Sequence, residues 1–303
     1  MSLTRIMAPF SAQEILGAID LGGTKILSVL FSGDGSILGP PVETPTLADS
    51  SPEVLVDRIA RNFRNTLRSC GRQAGQVSRL GIGVPTTVQY NKGLIDPSPN
   101  LPTLTDYPLA RELTARLGIP AALEKDANCF ILGEMAFGAA VGSGNCCGVT
   151  IGTGLGVGIV IGGRLLRGSH WCAGEIWTCP YRDGILEDWA SGTALENRYF
   201  QKTGGRLSGN GIHQRAREGD PLALALLAEL GEVLGFGLSY LVNGLNPEMV
   251  VVGGSVAEAW DYFSGPMQEV IDRHRVKRNA SRIVRSKLGK LASLYGVAFM
   301  EGG

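Results

Sequence analysis

The sequence predicts an α/β protein built from two halves that repeat one order of elements. Each half opens with a strand–turn–strand unit around a Gly/Thr turn, DLGGTK at 20–25 and IGTGLG at 151–156. In each half a helix follows, and then an apolar strand that stops at a proline or at two glycines. The chain has 303 residues, which is enough for about two domains.

The first half begins with apolar runs over 15–20 and 25–31, which predict two strands. Residues 52–70 carry apolar side chains at helical spacing, and Pro52 suits a first helical turn. The run RLGIGVP (79–85) is typical of a buried strand that ends at a proline. The later elements of this half are a helix over 106–117, a short strand within 119–128 and a helix over 129–140.

The second half repeats the pattern. Residues 145–166 predict strand, glycine turn and strand, residues 221–245 a long apolar helix, and residues 246–256 a strand that stops at two glycines. A small helix is expected over 288–300. Residues 1–14 break at Pro9 and turn polar, so we predict a disordered leader rather than a signal peptide.

The composition argues against several classes of protein. Lys plus Arg and Asp plus Glu number 28 each, whereas nucleic-acid-binding and membrane-surface proteins usually carry a basic excess. We expect no membrane span, on the view that no apolar run reaches roughly 18 residues. The six cysteines form no Cys-x-x-Cys pair, and Cys146 and Cys147 are interpreted as reduced core residues of a cytoplasmic protein.

Four glycines alternate with other residues in the predicted strand TIGTGLGVGIV (150–160). Glycine weakens a strand, so either the hairpin is loose or a backbone must come close to a ligand. Two such turns facing each other can hold a polyphosphate, because uncovered N–H groups form an anion-binding concavity. Thr24 and Thr153 would add hydroxyl donors. Asp20 would then need a Mg²⁺ between itself and the phosphates.

Several blocks resemble the ROK family of bacterial, ATP-dependent hexose kinases. They are AIDLGGTKI (18–26), GIGVP (81–85), PNLP (99–102), KDANC (125–129), TIGTGLGVGIV (150–160), AGEI (173–176), LEDWASGTAL (186–195) and VVVGGSV (250–256). The resemblance covers about residues 15–300. It implies a duplicated actin/hexokinase-type (ribonuclease-H-like) fold with a first lobe over 15–137, a second over 138–287, and a last helix within 288–303 that returns to the first lobe.

The resemblance also implies a nucleotide site with Mg²⁺ near Asp20. Two turns would lie along the phosphates of ATP, and a third would bind adenosine. The residues implied are Gly22, Gly23, Thr24 and Lys25 in the first turn, Gly152, Thr153 and Gly154 in the second, and Gly253 and Gly254 in the third.

On the sugar side, Asp126 matches the catalytic base of the family. A sugar hydroxyl is a poor nucleophile, and a carboxylate must take its proton as it attacks. Glu175, Glu187 and Asn100 match sugar-contact positions. Read from the residues alone, Asp126 would be a helix cap.

Four positions depart from the family pattern. The family reads Gly-Glu-Ile-Gly-His where this chain reads GEIWT, so Trp177 and Thr178 replace a glycine and a histidine. Lys125 replaces an asparagine, and Thr86 replaces a glycine. We retain Thr86, Thr178 and Lys125 as substrate-binding candidates. We expect Lys125 to lower the pKa of Asp126; contact with an acidic or phosphorylated substrate group, or exposure to solvent, are the alternatives.

The structural zinc of the family is expected to be absent. Its cysteines usually precede the residue matched by Glu187, but CPYRDGILE (179–187) is short and holds one cysteine. One thiolate cannot build a tetrahedral site. We hypothesise that Trp177, Tyr181 and Trp189 pack together in its place.

The function implied is ATP- and Mg²⁺-dependent phosphorylation of a hexose, either glucose or a relative such as mannose, fructose or an N-acetylhexosamine. A sugar sensor without turnover and polyphosphate as donor remain open, although GGSV favours adenosine. A repressor is disfavoured, since only about 15 residues precede the fold and a helix-turn-helix needs more. We expect no nucleic-acid or membrane partner, and homodimers are common in the family. His170 lies near the predicted sugar loop, whereas His213 and His274 are expected at the surface.

Overall fold

The computed structural model describes residues 10–300. Residues 1–9 of the predicted leader lie outside the described residues. The remainder of the leader is packed: the Phe10 ring meets Phe299 edge-on with centroids 5.8 Å apart, and the Arg79 guanidinium lies 5.7 Å from the Phe10 centroid. The prediction of disorder therefore does not hold for residues 10–14.

Most of the regular structure lies in two sheets and the helices around them. The strands are β1 (Ile15–Leu21), β2 (Lys25–Ser32), β3 (Val42–Pro45), β4 (Val77–Val84), β5 (Val88–Gln89), β6 (Leu94–Ile95), β7 (Ala121–Lys125), β8 (Cys146–Ile151), β9 (Leu155–Ile161), β10 (Arg164–Leu165), β11 (Pro180–Tyr181), β12 (Gly184–Ile185), β13 (Met249–Gly253) and β14 (Arg282–Arg285). The α-helices are α1 (Pro52–Ser69), α2 (Leu109–Leu117), α3 (Asp126–Phe137), α4 (Gly192–Thr203), α5 (Gly209–Arg217), α6 (Pro221–Leu245), α7 (Trp260–His274) and α8 (Ala292–Phe299).

The two main sheets have the same topology. The first has the strand order β3-β2-β1-β4-β7 and the second the order β10-β9-β8-β13-β14. In each sheet the first three strands of the half pair antiparallel, and the next two join in parallel. Both opening hairpins turn at the Gly/Thr motifs. The duplication predicted from the order of elements is confirmed.

Helices α3 and α8 lie together between the sheets. Their backbones touch, because a Cβ at Gly133 would lie 1.9 Å from the Ala292 carbonyl oxygen and one at Gly296 would lie 1.8 Å from that of Cys129. Helix α8 packs on β1 and β4 of the first sheet, and α3 also packs on β8 and β9 of the second. Asp126, the first residue of α3, is therefore held between the two halves.

A buried carboxylate ties the end of α3 to the segment before α8. Glu134 is fully buried. Its Oε1 accepts from the Ser286 hydroxyl at 2.5 Å and from the Leu288 N–H at 3.0 Å. Its Oε2 accepts from the N–H groups of Ala139 at 2.7 Å and Lys287 at 3.2 Å. Both segments that connect the two halves, the one after α3 and the one before α8, are therefore hydrogen-bonded to the Glu134 side chain.

The sequence located some helices better than others. The helices expected over 52–70 and 221–245 are observed as α1 and α6, whereas the one expected over 129–140 begins at Asp126 and ends at Phe137. Helices α4, α5 and α7 were missed. Helices α4 and α5 bury only three and two residues respectively, and α7 contains Pro266, so few apolar residues mark them in the sequence.

Helix α6 corrects the statement that no apolar run reaches the length of a membrane span. By length and composition it is long and apolar enough to cross a membrane, but most of the qualifying window is buried inside the protein. It packs against α4, α5 and α7. Its hydrophobicity is therefore accounted for by the core of the second half.

Candidate active site

The first Gly/Thr turn connects β1 to β2 and is held by its own backbone. The Gly22 N–H donates to the Lys25 carbonyl at 2.9 Å, and the Thr46 hydroxyl donates to the Gly22 carbonyl at 2.6 Å. Thr24 is exposed. The Lys25 ammonium lies 3.1 Å from Glu43 in a solvent-exposed ion pair, so the structure directs this side chain to the surface.

Asn100 lies directly against the first turn. A Cβ at Gly23 would lie 3.0 Å from the Asn100 carbonyl oxygen and 3.2 Å from its Oδ1. A side chain at position 23 would push Asn100 away. The structure therefore places a predicted sugar contact beside a predicted phosphate turn.

The alternating glycines of the second turn have different causes. A Cβ at Gly154 would lie 2.4 Å from Glu187 Oε2, and one at Gly158 would lie 2.4 Å from the Ala127 carbonyl. At Gly156 it would lie 2.7 Å from Thr150 Oγ1. Among these four glycines, Gly152 is the one at which an added Cβ would meet no other atom within 4 Å. At three of these four positions the missing side chain makes room for the protein itself, and only Gly152 faces open space.

The start of α4 holds the second turn from behind. The Gly192 N–H donates to the Gly152 carbonyl at 2.7 Å, and the Thr193 hydroxyl donates to the Thr153 carbonyl at 2.8 Å. The positive end of the α4 dipole therefore lies at this turn, where it favours an anion.

The third predicted turn has a similar internal explanation. A Cβ at Gly253 would collide with the Phe130 ring at 2.4 Å. Gly254 has φ +90° and packs on the Ile151 carbonyl, with 2.3 Å to an added Cβ. Both glycines shape the end of β13, and the residues that face open space are the next two, Ser255 and Val256.

A cavity of about 230 Å³ opens beside the second turn. It lies between that turn, the first turns of α4 and α5, and the segment 255–259. Its polar lining includes Thr153, Thr193, Glu196, Asn210, His213 and Ser255. His213, expected at the surface, lines this cavity with its ring 5.8 Å from Tyr262, whereas His274 is exposed as expected. The polar Gly-Asn-Gly stretch at 209–211 was the overlooked signal.

Asp20, near the end of β1, and Asp126, the first residue of α3, are half-buried carboxyls close enough for their charges to interact. Burial raises the pKa of Asp20 to about 7; the negative charge of Asp126 raises it further, and Lys25 lowers it. Burial also raises the pKa of Asp126. Asp126 is not the helix cap, since Lys125 occupies that position and Asp126 Oδ1 accepts from the Ala127 N–H at 2.6 Å.

As predicted, Lys125 acts to lower the pKa of Asp126, but the net shift of this pKa is upward. Desolvation by burial is the larger effect and Glu175 adds to it, whereas Lys125 and the Ala127 N–H lower this pKa. The pKa of Asp126 is therefore raised although Lys125 lies beside it.

The carboxyl pair fits a divalent cation. Two half-buried carboxyls with raised pKa values hold negative charge at a cost, which a cation would relieve. Mg²⁺ is commonly bound by one or two carboxylates together with phosphate oxygens and waters. Within residues 10–300 no three His, Cys, Asp or Glu side chains come together as a metal cluster. The other ligands would therefore come from phosphate and water.

Glu175 is held by three neighbours. Lys125 Nζ forms an ion pair with its Oε1 and Trp177 Nε1 donates to its Oε2. The Thr178 hydroxyl donates to the Glu175 main-chain carbonyl at 2.9 Å. Lys125 comes from the first half and Glu175 from the second, so this ion pair crosses the cleft.

A second ion pair crosses the cleft one residue earlier and was missed from sequence. Arg167 donates to Glu124 Oε2 from Nε at 3.0 Å and from Nη2 at 2.7 Å. Its guanidinium also lies 4.6 Å from the centroid of the Tyr90 ring. Glu124 is fully buried and also accepts from the Tyr90 hydroxyl and the Asn128 amide. Glu124 precedes KDAN directly, which was the available signal.

The remaining candidates lie nearby. Glu187 Oε2 accepts from the Leu155 N–H at 2.7 Å, so this carboxylate is tied to the second turn. Burial raises its pKa; the Leu155 N–H opposes the shift, and Asp188 and Glu175 add to it. The Thr86 hydroxyl donates to the Asp96 carbonyl at 3.3 Å, within its own loop. His170 is exposed on the loop that follows Arg167.

Comparison with known proteins decides the family, because the sequence matches the ROK family over residues 16–301. The chain belongs to the ROK family. It is 33% identical over 278 residues to a glucokinase of Thermotoga maritima, covering 84% of this chain and 86% of that protein.

Two solved ROK structures agree with this assignment. A ROK family glucokinase from Streptomyces griseus in complex with glucose and AMPPNP is 28% identical, with a TM-score of 0.84, covering 94% of this chain and 98% of that one. A ROK hexokinase from Thermus thermophilus is 30% identical, with a TM-score of 0.75, covering 94% and 96%. The actin/hexokinase-type fold implied by the resemblance is thereby confirmed.

Three of the four departures from the ROK pattern meet at one residue. Lys125 and Trp177 hold the side chain of Glu175, and Thr178 holds its backbone. Only Thr86 lies apart. The departures therefore form one connected change in this ROK protein.

The stretch that carries zinc cysteines in many ROK members is stabilised by aromatic packing here. Trp177, Tyr181 and Trp189 pack on the core of the second half. The rings of Tyr181 and Trp189 meet edge-on with centroids 6.0 Å apart, and Arg182 lies 4.3 Å from the Trp189 centroid. Cys179 is exposed and free.

Proposed function

We propose that this protein transfers the γ-phosphoryl group of ATP to the primary hydroxyl of a hexose, with Mg²⁺, in the cytoplasm and as a homodimer. The observation that carries the proposal is the pair of half-buried carboxyls, Asp20 near the end of β1 and Asp126 at the start of α3, whose charges interact. The relatives named glucokinase support glucose as the first acceptor to test. Mannose, fructose and N-acetylhexosamines are the alternatives.

Asp126 serves as the general base. It takes the proton of the sugar hydroxyl while that oxygen bonds to the γ-phosphorus and the bond to the β–γ bridging oxygen breaks. Its raised pKa brings it closer to the working pH, where a general base is most effective. Asp20 would hold Mg²⁺, which supplies neutralisation of charge on the phosphate oxygens when bound.

The nucleotide is assigned to the second turn and the cavity beside it. The α4 N-terminus at Gly152 and Thr153 favours phosphate there, and the cavity offers polar groups to adenosine. This cavity supports ATP over polyphosphate as the donor, because polyphosphate has no group to fill it. The residues proposed to lie along the phosphates remain Gly22, Gly23, Thr24, Gly152, Thr153 and Gly154. Gly253 and Gly254 are proposed to act by shaping the end of β13 beside the cavity, whereas the structure pairs Lys25 with Glu43 at the surface.

The sugar is assigned to the space between Asn100, Glu187 and Asp126. Carboxylate and amide oxygens accept hydrogen bonds from sugar hydroxyls. Asn100 lies against Gly23 and Glu187 against Gly154, so each candidate adjoins a phosphate turn. This arrangement brings an acceptor hydroxyl close to a donor phosphate.

The test is ADP release with MgATP across glucose, mannose, fructose, N-acetylglucosamine and N-acetylmannosamine. We expect turnover with at least one sugar, and loss of about a thousandfold in kcat for Asp126→Asn. The affinity for MgAMPPNP should stay within about threefold of the wild type, since Asp126 acts on the acceptor. Asp272→Asn on the surface of α7 is the matched control. If the kcat of Asp126→Asn stays within about tenfold of the wild-type value, Asp126 is not the general base.

A sugar sensor without turnover is the second candidate. The observation that favours it is the occupation of both Glu175 oxygens by protein donors. It predicts that a sugar raises the unfolding temperature while no ADP is released from ATP and no sugar phosphate is formed with polyphosphate. ADP release with any sugar of the panel excludes it.

A further inference from the structure

Glu175 has no simple role as a ligand of sugar hydroxyls in this chain. One carboxylate oxygen is paired with Lys125 and the other accepts from Trp177. The Glu175 side chain is 23% exposed and that of Lys125 is 8% exposed. Both partners of the ion pair are therefore largely withdrawn from water.

The burial of Lys125 requires this pairing. An ammonium that loses its hydration is unstable inside a protein unless a carboxylate stands beside it. Glu175 meets that need from the opposite half. Its neighbour Trp177 is half-buried and fixes the second oxygen, so the carboxylate cannot turn towards a ligand without leaving an indole N–H unpaired.

Lys125 retains unused donor capacity. An ammonium has three N–H donors, and within residues 10–300 the structure gives it one hydrogen-bond partner, Glu175. Lys125 also lies beside Asp126, close enough for its charge to act on that carboxyl. Among residues 10–300 its other two N–H donors have no protein partner, and the proposed base, Asp126, directly follows Lys125 in the sequence.

We propose that Glu175 is a positioning residue that holds Lys125, and that Lys125 determines specificity by donating to an oxygen of the acceptor sugar. This rests on the proposed function and deepens it. The sugar site would then select a sugar whose oxygen accepts a hydrogen bond at this position. A free carboxylate at the same position would instead select a sugar hydroxyl that donates one. Glu175 contributes to sugar binding only through Lys125.

A double-mutant cycle on sugar affinity separates this role from direct contact. Calorimetry with the tightest-binding sugar of the panel would compare the wild type, Lys125→Met, Glu175→Met and the double variant, each with MgAMPPNP bound. We expect each single variant to raise the sugar Kd about 30-fold, because each removes or misplaces a charged donor. Adding Glu175→Met to Lys125→Met should then change the Kd by less than about threefold.

Direct contact predicts another result. If Glu175 bound the sugar itself, Glu175→Met would still raise the Kd more than about tenfold in the Lys125→Met background, and that overturns the proposal. An unchanged Kd in Lys125→Met also overturns it. An unchanged MgAMPPNP affinity and a cooperative unfolding transition report a folded protein, and Glu175→Gln replaces Glu175→Met if the latter unfolds.

A control pair of variants and the wild type separate a failure of this inference from a failure of the proposed function. Glu112→Gln and Arg116→Gln break a half-buried ion pair on α2, away from the proposed site, and should leave both affinities unchanged. A wild type that binds MgAMPPNP but none of the sugars overturns the proposed function, whereas a wild type that binds sugar and shows additive variants overturns this inference alone.

Discussion

Replacing Arg167 with methionine should destabilise the protein by about 3 kcal/mol. Arg167 makes two charge-assisted hydrogen bonds to Glu124 Oε2, at 2.7 and 3.0 Å. Glu124 is 0% exposed, so the carboxylate would be left buried without a cation. Breaking a buried pair by removing one partner usually costs about 3–5 kcal/mol. The lower end applies because Glu124 keeps its bonds to Tyr90 and Asn128 and because the Arg167 side chain is 34% exposed.

Differential scanning calorimetry measures this effect. For a chain of this size about 2 °C accompanies each kcal/mol, so Tm should fall by about 6 °C. Adding Glu124→Gln to Arg167→Met removes the unpaired charge and should recover half of the loss or more. Arg275→Met, which breaks an exposed pair with Asp272, should cost less than about 1 kcal/mol. Equal losses in Arg167→Met and Arg275→Met, or no recovery by Glu124→Gln, would refute the reasoning.

Two further predictions concern the turns and the carboxyl pair. Gly154→Ala should lower the free energy of unfolding by about 1–3 kcal/mol, because the added Cβ would lie 2.4 Å from Glu187. Gly152→Ala, where the space is open, should leave Tm unchanged and raise the KM for MgATP. Equal Tm values for the two variants would contradict this prediction. A carboxyl whose pKa is raised on folding contributes stability below its unfolded pKa, and that contribution is lost as the pH rises through the folded pKa. Without Mg²⁺, the Asp20 contribution should therefore be lost between pH 3.8 and about 7. The fall in Tm over this pH range should be smaller in Asp20→Asn, and also smaller in the wild type with Mg²⁺. If the Tm of the wild type without Mg²⁺ changes with pH in the same way as that of Asp20→Asn, the prediction is contradicted.

The sequence was informative where one residue type implied one local structure. The hairpins, α1 and α6 follow directly from glycine turns and apolar periodicity, and the duplicated topology follows from their order. Asp126, Glu175 and Asn100 could be named only through the resemblance to a family, since an acidic or amide side chain after a strand has many uses. Their proximity to the turns became visible only in three dimensions.

What the sequence could not reveal were relations between distant residues. Nothing at position 167 indicates that its guanidinium reaches Glu124 across the cleft. Nor does the pattern GEIWT indicate that Trp177 and Lys125 converge on one carboxylate. The glycines at 154, 156 and 158 were assigned to a ligand because a sequence does not show which protein atom fills the space beside a missing side chain.

The contact of α8 with the first sheet has a consequence for the order in which the molecule is completed during synthesis. Leu294, Val297 and Phe299 share a core with Leu16 and Phe31, so one face of the first sheet is covered by the last helix of the chain. The ribosome makes the strands of this sheet first and their cover last. Until then those strands expose apolar surface that a chaperone can recognise. The second half, whose core draws on residues 147–283, can pack earlier, so the half translated first is the half finished last.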